Sequence, residues 1–247
     1  MDENVAIRSF AASFGSTGRL DAEFYEPKYQ QLEKRLRKLG AVPLASLCLE
    51  SPQRGIQPEF VEGGSVFVVA SKAVRPNGVL LDDNECTNES FYYTPKNSKA
   101  RLKKGDVLLN GTGRGTLGRA SIYDADALAI ADNHVTILRP NENVCDPYYL
   151  MLFLNSIAGQ MQSEKWQCGT SGQLELYPNQ IEQFMIYAPS FETSESLQKE
   201  VSRLVQDSFA ARKQSNAILN VAKRGVEMAI EQDEASALEW MEQQSAT

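Results

Sequence analysis

After Pro189 the chain contains no proline and only one glycine, Gly225, and so long a stretch without a helix breaker constrains everything that can form around it. Over residues 193–241, apolar or small side chains return at Leu197, Val201, Leu204, Ser208, Ala211, Ser215, Ile218, Ala222 and Ala229. Steps of four and three put them on one stripe, the pattern of a thin coiled-coil seam. One helix of about 45 residues would be about 70 Å long. It cannot fold back within a small domain, and alone in water it is poorly stabilised. The seam therefore needs a partner helix, with Leu197, Val201, Leu204, Ala211, Ile218 and Ala222 as its contact residues. Residues 190–247 are expected to form this helix, and residues 1–189 a separate domain.

Within residues 1–189 the period changes twice. Tyr25, Tyr29, Leu32 and Leu36 recur at helical spacing before Gly40 and Pro43, which predicts a helix over about 26–39 with Pro27 in its first turn. From about Val42 to Pro140, short runs such as Val66-Phe67-Val68-Val69, Asp106-Val107-Leu108-Leu109 and Val135-Thr136-Ile137-Leu138 alternate with Gly, Pro, Asn and Asp. That spacing predicts a β-rich core, antiparallel or mixed, with long loops. Asp146 then caps a helix over about 147–161, with Pro147 at its first position. A polar loop from Trp166 to Gln173 leads into a last strand, Phe184-Met185-Ile186-Tyr187. The fold class is α+β, a β-rich domain with small helices followed by a long helix that pairs as a coiled coil.

Composition removes several classes of function. No apolar run approaches the roughly 20 residues of a membrane span, and Met1-Asp2-Glu3-Asn4 lacks a signal-peptide pattern, so a cytoplasmic protein is expected. Cys48, Cys86, Cys145 and Cys168 make no close pair and His134 is the single histidine, so neither a disulfide framework nor a zinc site is expected. The net charge of −7 argues against a chain that coats nucleic acid indiscriminately. Its distribution is uneven. Residues 34–119 carry fourteen basic against eight acidic side chains, and residues 190–247 carry six against ten, as though one part meets phosphate and the other protein.

Gly113-Arg114-Gly115-Thr116-Leu117-Gly118 spells the GxGxxG string of dinucleotide-binding folds. Those folds need a helix directly after it, whereas Arg119-Ala120-Ser121-Ile122-Tyr123 reads as a strand. The better reading is a glycine-rich connection between strands, with Thr112, Arg114 and Thr116 offered to DNA. Asp146-Pro147-Tyr148-Tyr149 is similar to the (Asp/Asn)-Pro-Pro-aromatic motif of amino-methyltransferases, with tyrosine in place of the second proline, and a helix start explains it without chemistry. Lys96, Lys99, Arg101, Lys103 and Lys104, with Tyr92 and Tyr93 upstream, interleave basic and aromatic residues as nucleic-acid surfaces do; a solvated turn before a strand is the other reading. Lys72, Arg75 and Asn77 in one loop, and Gln167, Thr170, Ser171 and Gln173 in another, have the end groups that read base edges. His134 reads as structural, at a strand start.

Three blocks, taken in order, point to a family. Arg19-Leu20-Asp21-Ala22-Glu23-Phe24-Tyr25 opens the first; Gly105-Asp106-Val107-Leu108-Leu109 running into Gly118-Arg119-Ala120 is the second; Tyr149-Leu150 to Gln160, Gly172-Gln173-Leu174 and Ile186-Tyr187-Ala188-Pro189 make the third. Over about Arg19 to Gly225 the chain resembles a type I restriction-modification DNA specificity (S) subunit. The resemblance implies target-recognition domains that each read a few base pairs, and paired long helices that set the distance between half-sites and dock methyltransferase subunits, with a restriction subunit where one exists. Such subunits usually carry two recognition domains and two helices. One of each here implies a half-subunit that dimerises on a palindromic bipartite target. It also implies no catalytic site and no cofactor on this chain, S-adenosylmethionine belonging to a partner adenine methyltransferase. A non-enzymatic coiled-coil adaptor, and a nucleotide-binding enzyme using Gly113–Gly118, are the alternatives.

Overall fold

The computed structural model describes residues 7–82, 85–169, 174–190 and 196–245, and the chain divides into two compact units, residues 1–202 and 203–247. The first unit begins with the short helix α1 (Phe14–Thr17) and then α2 (Pro27–Lys38). Pro27 suits the first helical position because it has no N–H to leave unpaired. Arg35, Arg37 and Lys38 lie at the negative end of the helix dipole. The buried face of α2 carries Tyr29 and Leu36.

The strands follow as β1 (Val42–Pro43), β2 (Gln53–Arg54), β3 (Val66–Val69), β4 (Val74–Arg75), β5 (Gly78–Val79) and β6 (Cys86–Thr87). After helix α3 (Glu89–Tyr93) and a 3-10 turn over Pro95–Ala100 come β7 (Val107–Asn110), β8 (Ala120–Ile122), β9 (Ala129–Ala131) and β10 (Val135–Leu138). An antiparallel sheet in the order β2-β10-β7-β8 faces a three-stranded sheet, β6-β3-β9, in which β3 and β9 run parallel. Every residue of β7 and β10 is buried, which accounts for apolar runs where a half-exposed strand would alternate. One core cluster joins Leu108, Val135 and Ile137 of the first sheet to Val69, Ala129 and Ala131 of the second.

Helices α4 (Pro147–Asn155) and α5 (Ile157–Trp166) cover the other side, with α4 packed on β7 and β8. Asp146 caps α4 by accepting from the Tyr149 N–H at 3.0 Å. The single helix expected over 147–161 is thus two. Ser156 is extended between them, and at Gly159 a Cβ would lie 2.3 Å from the Leu154 carbonyl oxygen, so the corner closes only around glycine. The short helix α6 (Pro178–Ile181) precedes β11 (Met185–Ile186), which pairs with β1.

Helix α7 (Leu197–Glu231) starts in this unit. The fully buried Gln198 donates to the carbonyls of Pro189 and Val144 and accepts from the Asp146 N–H at 2.9 Å, tying the first turn of α7 to the start of α4.

In the second unit the expected continuous helix over 193–241 is interrupted. Helix α7 ends at Glu231, and Asp233 caps a new helix, α8 (Glu234–Ser245), by accepting from the Ser236 N–H at 2.9 Å. The chain doubles back, because a Cβ on Gly225 would sit 2.2 Å from Met241 Sδ. Of the predicted seam, Val201 is half-buried, while Ala211 and Ala222 are exposed, as are Leu197, Leu204 and Ile218.

Candidate nucleic-acid interface

Strand β7 has a candidate surface at each end. At its C-terminal end, Asn110 is fully buried and donates to the Ser71 carbonyl at 2.9 Å. Gly111 then bridges three segments: its N–H donates to His134 O at 2.8 Å, and its carbonyl accepts from Leu176 N at 2.8 Å. The connection to β8 is closed on itself, Leu117 N to Gly113 O at 2.9 Å and Gly118 N to Asn110 O at 2.9 Å. Gly113, Gly115 and Gly118 all have positive φ, at 99°, 79° and 78°. Strand β8 follows, so the string is a strand-to-strand loop and has no pyrophosphate-binding helix behind it.

Thr112 and Thr116 shape this loop. Thr112 Oγ1 lies 2.9 Å from His134 Nδ1, and Thr116 Oγ1 donates to the Thr112 carbonyl at 3.0 Å. Arg114 is exposed at the tip. At the end of the same loop, Arg119 donates to the Ser71 carbonyl at 3.1 Å, and burial together with the like charge of Arg75 lowers its pKa. Arg75 is exposed on the β4–β5 hairpin, with Asn77 in the turn. Lys72, in the turn before β4, is held 2.6 Å from Glu85. On the far side of β10 from β7, Arg54 of β2 donates through Nε to the Asn133 carbonyl at 2.5 Å, lies over the Tyr177 ring and sits 3.6 Å from Glu175.

Arg75 and Arg119 lie close enough to repel, Arg114 is exposed on the loop that ends at Arg119, and Arg54 stands on β2, two strands away from β7. Exposed Arg75 and Arg114, with half-buried Arg119, give the segments that meet at this end of β7 cationic side chains suited to a polyanion. Sequence reasoning missed Arg54, Arg119, Glu175 and Tyr177 as site residues. Only strand pairing brings them together, and no local spacing signals it.

At the N-terminal end of β7 the expected basic cluster divides. Tyr92 is buried in the core with Val66, Val68 and Ile130, so only Tyr93 reaches solvent. Arg101 donates to the carbonyls of Tyr92 and Thr94 at 2.8 and 3.2 Å and serves the C-terminus of α3. Lys104 lies 3.5 Å from both Asp124 and Asp126. Lys96, Lys99 and Lys103 are exposed. The two candidate surfaces are separated by the length of β7, about 10 Å of extended chain, and by the turns beyond it.

The loop after α5 is anchored by the opening motif. Arg19 Nε donates to Asp21 at 2.8 Å, and the guanidinium donates to the carbonyls of Trp166 and Gln167, both at 3.2 Å. Gln167 is half-buried at this anchor. Thr170, Ser171 and Gln173 lie outside the described residues.

A family model described as "Type I restriction modification DNA specificity domain" matches residues 66–221. Among solved structures, the S subunit of a type I restriction-modification system from M. genitalium is 12% identical with a TM-score of 0.49, over 77% of this chain and 43% of that one. The HsdS subunit from Thermoanaerobacter tengcongensis is 15% identical with a TM-score of 0.45, over 88% and 50%. The type IIG restriction endonuclease BpuSI is 10% identical with a TM-score of 0.49, over 72% and 28%. The chain spans about half the length of the specificity subunits it matches, or less. Comparison with proteins of curated function gives no match. The family model covers more than half of the sequence, and the chain belongs to the family of type I restriction-modification DNA specificity domains.

Proposed function

We propose that this chain selects the DNA target for a separate adenine methyltransferase, and for a restriction subunit where one is present, in the cytoplasm. The family match supports a role in DNA specificity. The observation that carries the reading further is that Arg75, Arg114 and Arg119 stand on the segments that meet at the C-terminal end of β7, two of them exposed. Phosphate contacts from such a face supply affinity and position the domain, while side chains at base edges supply sequence choice. Arg114, exposed at the loop tip, is the first candidate among the predicted residues, with Arg75 and Asn77 on the β4–β5 hairpin and Lys96, Lys99 and Lys103 as outlying phosphate contacts. The chain contributes specificity and no catalysis, so S-adenosylmethionine belongs on the methyltransferase.

The exposed row Leu197, Leu204, Ala211, Ile218 supports pairing of α7 with another helix, from a second copy of the chain or from the methyltransferase. In a two-fold dimer the target would be bipartite and palindromic.

Modified-base sequencing of genomic DNA from cells with and without this chain, the methyltransferase retained, tests the reading. Loss of one gapped adenine-methylation motif is expected. An unchanged methylome would sink target selection and leave an adaptor that presents its β-rich domain to another protein.

A further inference from the structure

Glu175 is a carboxylate set beside Arg54. Glu175 Oε1 is 3.6 Å from an Arg54 terminal nitrogen, and the two side chains remain 34% and 26% exposed. Charge-assisted hydrogen bonds are closer to about 2.8 Å, so this pair leaves hydrogen-bonding capacity on both partners. The Tyr177 hydroxyl bonds the carboxylate, and with Arg54 and His134 nearby it is held below the usual carboxylate range and stays ionised.

Both residues stand on fixed backbone. Glu175 exchanges two hydrogen bonds with Cys168, at 2.7 and 2.8 Å, and bridges to Thr112; Arg54 pairs with Thr136 at the edge of the four-stranded sheet, and its Nε is tied to Asn133. A purely phosphate-binding surface gains nothing from a carboxylate at this place, since it repels the ligand. A base edge is different, because it presents donors as well as acceptors.

On the assigned DNA-selecting role, we infer that Arg54 and Glu175 together read one C·G base pair in the major groove. The edge of that pair runs acceptor, acceptor, donor: guanine N7 and O6, then cytosine N4–H2. The free guanidinium N–H groups match the two acceptors, and the carboxylate matches the amino group. In an A·T pair the single amino group lies between two acceptors, adenine N7 and thymine O4, so the amino group would face a guanidinium N–H and thymine O4 the carboxylate. The same carboxylate turns away phosphate, so the pair adds selectivity without adding to general affinity.

The test is genomic methylation in cells that express the full chain with its methyltransferase, comparing wild type, Glu175→Gln and Glu175→Asp. The wild-type motif should contain a C·G pair whose preference falls about tenfold in Glu175→Gln, with every other position unchanged. Glu175→Asp, which keeps the charge, should retain the preference. A wild-type motif without a C·G pair overturns the inference whatever the variants do. So does a Glu175→Gln motif identical to wild type, or methylation lowered equally at all positions. A wild type that specifies no motif at all is told apart from these results, since it refutes target selection itself and the inference with it.

Discussion

Asn155 completes the backbone pairing of Ala120: its Oδ1 accepts from the Ala120 N–H at 3.0 Å, and its Nδ2 donates to the Ala120 carbonyl at 2.9 Å. Among the described residues strand β8 is an edge of its sheet, paired with β7, and the amide stands where a further strand would be. Gln162 does the same for Met185, accepting from its N–H at 2.5 Å and donating to its carbonyl at 3.1 Å. Two successive helices therefore each close one strand with a side-chain amide. Asn155→Ala leaves the buried Ala120 groups unpaired. At 1–3 kcal/mol for each unsatisfied group, the expected loss is about 3 kcal/mol, measured by urea unfolding. A loss below about 1 kcal/mol would show that water replaces the amide.

Neither amide is legible in the sequence, since Asn155 and Ala120 are 35 residues apart. What can be read is local. Pro27 at a helix start, the Asp146 cap and the buried runs of β7 and β10 follow from propensity and pattern. The glycine string reads as a strand connection because the residues after it are strand-like, and it joins β7 to β8. Tyr92 misled as a surface aromatic because burial of one tyrosine in a Tyr-Tyr pair depends on the register of α3 against β3. The break at Gln232-Asp233 carried a readable signal, a capping aspartate three residues before Ser236, which the long seam pattern masked. The meeting of Arg75 with Arg119 had no such signal, because β4 and β8 meet only through packing between separate sheets.

The two ends of β7 should respond differently to loss of charge. Arg114 is exposed at the loop tip, whereas Lys104 is already shared between Asp124 and Asp126. If the arginine face meets DNA, Arg114→Ala should weaken binding of the assembled complex about tenfold and lower the salt slope by about one. Lys104→Ala should change it little. Neither should lower thermal stability. Fluorescence anisotropy against salt concentration measures both, and a larger effect from Lys104 would move the interface to the other end of the strand.

Acid stability should depend on Asp21. Its hydrogen bond to Arg19 holds its pKa below the ordinary 3.8. A carboxylate depressed on folding contributes stability above its unfolded pKa, and that contribution is lost as pH falls through the folded one. Wild type should therefore exceed Asp21→Asn in melting temperature at pH 7 and lose this lead below about pH 4. A constant difference from pH 7 to pH 3 would mean that the Arg19–Asp21 pair contributes packing and no charge linkage. The side chains are only partly buried, so solvent screens the pair and the effect should be modest.

Gly225 and Met241 decide whether the second unit stays a hairpin. In a helix interior, Gly→Ala normally gains about 1 kcal/mol. Here the new Cβ would lie 2.2 Å from Met241 Sδ and 2.8 Å from its Cγ. The methionine must leave its place, and α8 loses the packing it makes on α7. Gly225→Ala should therefore lower the stability of this unit in the wild-type background, yet raise it when Met241→Ala has already made room. Such a reversal of sign between backgrounds is the coupling expected of two residues in contact. Helical circular dichroism followed through thermal unfolding in the four-member cycle measures it. If Gly225→Ala stabilises equally in both backgrounds, the two residues are not packed together, and α8 does not rely on this glycine to lie against α7.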